Sequence, residues 1–104
     1  MNKILELQAL IKNIDSSIED VSLMLKSTNN DIKNCEDQIK TSNEILSIFS
    51  EVNVKEEIKE TKAMVTGINN MSNSYKSIKD ELQFKLKDLK KDKEQAKLLL
   101  SRIS

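Results

Sequence analysis

From Ile4 the apolar residues recur in steps of three and four: Ile4, Leu7, Ile11, Ile14, Ile18, Val21, Leu25, Thr28, Ile32, Cys35, Ile39, Ser42, Leu46 and Phe49. The alternation holds over fourteen positions, and its two lapses, Thr28 and Ser42, are small residues. A seven-residue repeat sustained this long predicts a helix with a coiled-coil seam, because 3.5 residues per turn keep every a and d side chain on one stripe. With Ile4 as position a, every a is Ile or Leu. A second series follows, with d positions Val54, Thr61, Ile68, Tyr75, Leu82, Leu89, Ala96 and Ile103. Its a positions are Ile58, Val65, Ser72, Lys79, Leu86, Lys93 and Leu100.

The two series are out of phase. The first register would place its next a at Asn53, so the phase changes between Phe49 and Ile58. That change predicts a turn, and a stutter in one rod is the alternative. Asn53 is the expected N-cap of the second helix, with Glu56 as its reciprocal partner three residues on. The expected fold is all-α: an antiparallel two-helix coiled-coil hairpin, completed into a larger bundle by self-association or by a partner. The whole chain, 1–104, forms one domain, with helix 1 about 2–50, a turn about 51–55 and helix 2 about 55–103. Positions whose numbers sum to 107 should then face each other: Ile4 and Ile103, Leu7 and Leu100, Leu25 and Leu82. Asn29-Asn30 and the stretch Gly67 to Ser74 have poor helix propensity. A break at either place gives the rival topology of three shorter helices.

Composition supports an elongated helical chain. One Gly, no Pro, no Trp, one Tyr and two Phe are few turn formers and aromatics for an ordinary globule. Charge is balanced overall but divided between the arms. Residues 1–52 carry five Lys against nine acids, and residues 53–104 carry eleven Lys and one Arg against eight acids. The arms therefore hold −4 and +4, which favours their pairing while adding little stability per exposed pair. Zero net charge gives no reason to expect nucleic acid as a partner. The basic run from Lys85 to Lys97 is interleaved with Asp88, Asp92 and Glu94 and reads as a solvated helix face.

Catalytic chemistry has little to stand on. There is no His, and the single Cys gives no zinc spacing. Cys35 falls at a d position, where a small core residue is the plainer reading. The adjacent acids Glu19-Asp20 and Glu36-Asp37 lie off the seam, with no apolar pocket to raise a pKa. The expectation is a protein that is not an enzyme and takes no cofactor and no metal. The first twenty residues lack the pattern of a signal peptide, and no apolar run approaches a membrane span. A cytoplasmic chain is expected, exported, if at all, together with a partner.

A third stripe carries the functional signal. In an antiparallel pair the g positions of both helices line one flank and the e positions the other. The e positions are polar, from Gln8 and Asp15 to Lys76 and Gln83. The g positions include Leu10, Met24, Ile45 and Val52 on the first arm, then Met64, Met71, Ile78 and Leu99 on the second. Apolar patches of this kind mark an interface. Leu10, Met24, Ile45, Met64, Met71, Ile78 and Leu99 are the expected partner-binding residues, and the partner is a foreign helical protein or a second copy.

A small helical hairpin rich in Asn, Lys and acids resembles the WXG-type superfamily of type VII secretion. It looks most like the short helical partners of LXG toxins in Gram-positive bacteria. The Phe-x-x-x-Asp pattern of some such partners is matched by Phe84-Lys-Leu-Lys-Asp88. The Trp-x-Gly turn of the superfamily is missing, since Val65 stands two residues before Gly67. The resemblance implies a targeting or chaperone-like partner that binds the helical N-terminal domain of an LXG toxin, with Phe84 and Asp88 as an export motif. A self-associating structural coiled coil, such as a phage or scaffold component, is the alternative.

Overall fold

The computed structural model describes residues 2–104 as two helices, α1 (Lys3–Val52) and α2 (Lys55–Ile103), joined by a turn at Asn53 and Val54. The chain is an all-α helical hairpin, and no strand occurs among the described residues.

Each helix end is closed by an identifiable residue. Asn2 caps α1: its Oδ1 accepts from the N–H groups of Ile4 (3.0 Å) and Leu5 (3.4 Å), and its carbonyl accepts from Glu6 (3.1 Å). An Asn before the first apolar position is the sequence sign of such a cap. At the other end, the Val54 N–H donates to the Phe49 carbonyl and the Asn53 N–H to the Ser50 carbonyl, both at 3.3 Å. These are the two bonds of a Schellman closure, with Asn53 as its left-handed residue at φ 55°. The expected N-cap role of Asn53 is therefore corrected. An N-cap needs extended backbone, and a left-handed residue cannot supply it. Asn53 ends α1, and Val54, whose carbonyl accepts from Ile58 at 3.1 Å, begins α2. Glu56 and Glu57 then fill the first turn of α2, where the helix dipole favours negative charge.

The weak stretches stay helical. Asn29 and Asn30 lie inside α1, and Gly67 to Ser74 lie inside α2. Around the second stretch, two hydroxyls bond back along the helix, Thr66 to the Lys62 carbonyl (3.1 Å) and Ser74 to the Asn70 carbonyl (3.2 Å). Such bonds occupy polar side chains that would otherwise compete for the backbone. Seam burial supplies the rest, since tertiary packing decides helices of low propensity.

Burial follows the two heptad series. Every seam position from Ile4 to Phe49 is buried or half-buried, and so is every one from Val54 to Leu100. Off the seam, only Ser17 and Asp31 share that state among the described residues. Ile103, expected opposite Ile4, remains 40% exposed in the last turn of α2.

The hairpin divides into two compact units. The terminal unit pairs Met1–Lys26 with Asp80–Ser104, and the turn unit is Ser27–Lys79. In the terminal unit, Ile4 and Ile103 line one concavity, and Leu7, Ile14 and Ala96 share another. Lys93 Nζ lies 2.5 Å from Asp15 Oδ1, which lets a lysine occupy a seam position with its charge matched. In the turn unit, Ser42 and Ile68 line a common concavity. These pairings follow the sum of 107 to within a few residues.

Candidate interaction surface

The seam of a two-helix pair faces one way, so any other apolar side chain is left in water unless something further covers it. Of the residues expected on the partner-binding flank, Leu10, Met24, Ile45, Met64, Met71, Ile78 and Leu99 are all exposed. Val52, the remaining apolar g residue, is exposed as well. The e positions offer no apolar residue in either helix. In the turn unit every exposed large hydrophobic side chain lies at g or c, whereas the terminal unit also exposes Leu5 at b and Leu23, Phe84 and Leu98 at f.

In the terminal unit the structure brings Leu10 and Leu99 together. Both line a concavity with Leu7 and Ile103, and both recur in the neighbouring one with Ile14 and Ala96. Met24 stands exposed further along α1. The charged residues near this flank are of both signs. Lys3, Lys85, Lys91 and Arg102 at g, f and c positions mix with Glu6, Asp20, Glu81, Asp88 and Asp92.

In the turn unit, Ile45 on α1 and Met64, Met71 and Ile78 on α2 occupy the flank. A shallow concavity opens there between the helices, with Ser42, Met64 and Ile68 toward the seam and Asp37, Gln38 and Thr41 along the α1 side. Ile48 extends this surface, although it is a c residue that the g-stripe reading passes over. It is exposed, and it sits three residues from Ile45 and four from Val52, so the three share a face. A helical wheel of the first arm would have found it. On α2, the c positions between the apolar residues are Gly67 and Ser74, and a Cβ built on Gly67 meets nothing within 4 Å.

Charge is sorted in the turn unit. Seven of its eight acids, Asp31, Asp37, Glu44, Glu51, Glu56, Glu57 and Glu60, stand at g, c or f positions. At 3.6 residues per turn these lie within about 100° of the g direction. Its lysines stand at b and e positions, about 140° or more away, except Lys79, which at a lies about 100° from g, as the f acids do. No ion pair involves these acids: among the described residues the single pair is Lys93 with Asp15, in the terminal unit.

Phe84 and Asp88 both project from α2 in the terminal unit. Phe84 is 68% exposed, the most exposed of the large hydrophobic residues, and Asp88 one turn on is exposed beside it. Cys35 is buried in the seam and presents no accessible thiol. Among the described residues, no group of three or more His, Cys, Asp and Glu side chains could hold a metal ion, and no helix is long and apolar enough to cross a membrane.

The fold and surface together define a helical hairpin with exposed apolar g positions in each unit. Compared with protein-family models, curated proteins and solved structures, the chain matches none of them.

Proposed function

We propose that the protein is a non-enzymatic interaction module whose g-side flank receives the helices of another protein. The observation that carries this reading is the exposure of Leu10, Ile45, Met64, Met71, Ile78 and Leu99 in one g-position row of each helix, opposite e positions without apolar residues. An isolated hairpin gains nothing from such a stripe, whereas a third or fourth helix laid on it would complete a bundle core. The proposed partner is the helical N-terminal domain of an LXG-type toxin, which the chain would accompany to a type VII secretion machine. Support for that identity comes from the resemblance in helical style and from Phe84 and Asp88 standing exposed one turn apart.

Met64→Glu combined with Met71→Glu tests the module. Both side chains are about half exposed, so the variant keeps its helical circular dichroism. Its assembly, with a toxin domain or with itself, is abolished in size-exclusion chromatography with light scattering. Unchanged association would discard the flank as the working surface. Assembly of wild-type chains alone into a stable oligomer would favour a structural coiled coil.

A further inference from the structure

We propose that the flank of the turn unit docks one basic amphipathic helix, with an apolar stripe bordered by Lys or Arg on both margins. This rests on the interaction reading above and names the chemistry of the occupant. The centre of the surface is apolar, formed by Ile45, Ile48 and Val52 on α1 and Met64, Met71 and Ile78 on α2. Asp31, Glu57 and Glu60 stand at its g and c positions, where no lysine does, four more acids follow at f, and Lys79 at a lies on the seam beside Ile78. Apolar contact supplies affinity for any amphipathic helix, while the margins select the sign of its charges.

A second copy of this chain is a poor occupant of the same surface. A two-fold contact repeats the same patch on both partners, so it would set the acids at these g and c positions beside those of the other chain. Like charges across an interface oppose association. The concavity beside Met64 favours the basic helix in a further way. A Lys or Arg can lay its methylenes over Met64 and Ile68 and bring its charged end to Asp37 at the edge. Gly67 leaves the α2 side low between Met64 and Met71, which lets a third helix approach closely.

The test uses the full chain and three synthetic peptides of three heptads each, followed by fluorescence anisotropy. One peptide has Leu at a and d with Lys at e and g, the second replaces those Lys by Glu, and the third scrambles the first. The Leu/Lys peptide should bind saturably at one per chain, and the other two at least tenfold more weakly. Glu44→Lys with Glu57→Lys in one chain should weaken the Leu/Lys peptide about tenfold, taking a few-fold for each exposed pair. The same variant should gain affinity for the Leu/Glu peptide, an outcome that a misfolded chain cannot give. Met71→Ser should weaken the Leu/Lys peptide without changing helicity. Equal binding of the Leu/Lys and Leu/Glu peptides, or equal binding of the scrambled peptide, overturns the proposal and leaves the interaction reading intact. If no peptide binds while Met64→Glu with Met71→Glu still abolishes assembly, the basic helix is wrong and the flank is right. If neither has an effect, both fall.

Discussion

The two units of the hairpin solve the same packing problem with different side chains. In the terminal unit the seam is aliphatic, from Ile4 to Leu25 on α1 and Leu82 to Ile103 on α2, interrupted only by Lys93. In the turn unit the seam includes Thr28, Cys35, Ser42, Thr61 and Ser72, with Tyr75 and Lys79. These five small residues are among the best buried of the chain, and Ser72 is only 3% exposed. The large seam residues, Val21 and Ile32 apart, are by contrast at most half-buried. A small side chain is covered by its neighbours, but a Leu or Ile projects beyond a seam only two helices wide. Much of the deepest burial therefore falls where the hydrophobic gain per residue is small, since that gain follows apolar area. The turn unit compensates little within itself. Its large apolar side chains outside the seam lie on the flank, with Met64, Met71 and Ile78 in one row. The aliphatic terminal seam holds the hairpin, and the turn unit has more to gain from a partner.

The sharpest test of this contrast lies in the seams. Ile18→Ala or Leu89→Ala in the terminal unit should cost about 2–3 kcal/mol, the lower part of the range for large core truncations, because both positions are half-buried. Ser42→Ala or Ser72→Ala in the turn unit should change stability by no more than about 0.5–1 kcal/mol, the worth of an ordinary hydrogen bond. Urea unfolding followed by circular dichroism measures both, and equal losses in the two units would break the comparison.

Asn53 comes next. Its left-handed backbone is tolerable for Asn and costly for a residue that lacks local polar bonding. Asn53→Ala should lose about 1 kcal/mol, whereas Asn53→Gly should hold or slightly raise the midpoint. A helix N-cap would behave otherwise, since replacing Asn by Ala and by Gly there are both losses.

Gly67→Ala should stabilise by about 0.5–1 kcal/mol, because the added methyl meets no atom and the unfolded chain loses freedom. If the same variant weakens binding of a helical partner, close approach at Gly67 is the reason for keeping glycine in that helix.

The smallest effect on stability belongs to Phe84. Phe84→Ala should leave the melting temperature and partner binding nearly unchanged, because the ring gains little contact on folding. As part of an export signal, its loss should stop secretion. Normal secretion by the folded variant would discard the motif, and unfolding would return Phe84 to the core.

The heptad series alone marks the seam, from Ile4 to Phe49 and again from Val54 to Leu100, because a period of 3.5 leaves one stripe to bury. The phase break marked where the chain turns. The g-side residues were also legible, since an antiparallel pair puts the g positions on one flank whatever the partner. Local pattern could not decide which neighbour owns Asn53. An Asn can cap a helix start or close a helix end, and only the backbone, at φ 55°, gives it to α1. Nor could propensity decide Gly67 to Ser74. That stretch is poor helix in isolation, and burial of the seam residues Ile68, Ser72 and Tyr75 keeps it in α2. The sorting of acids onto one face needed the register as well. A charge has no face until the helix carrying it has been pinned by its seam.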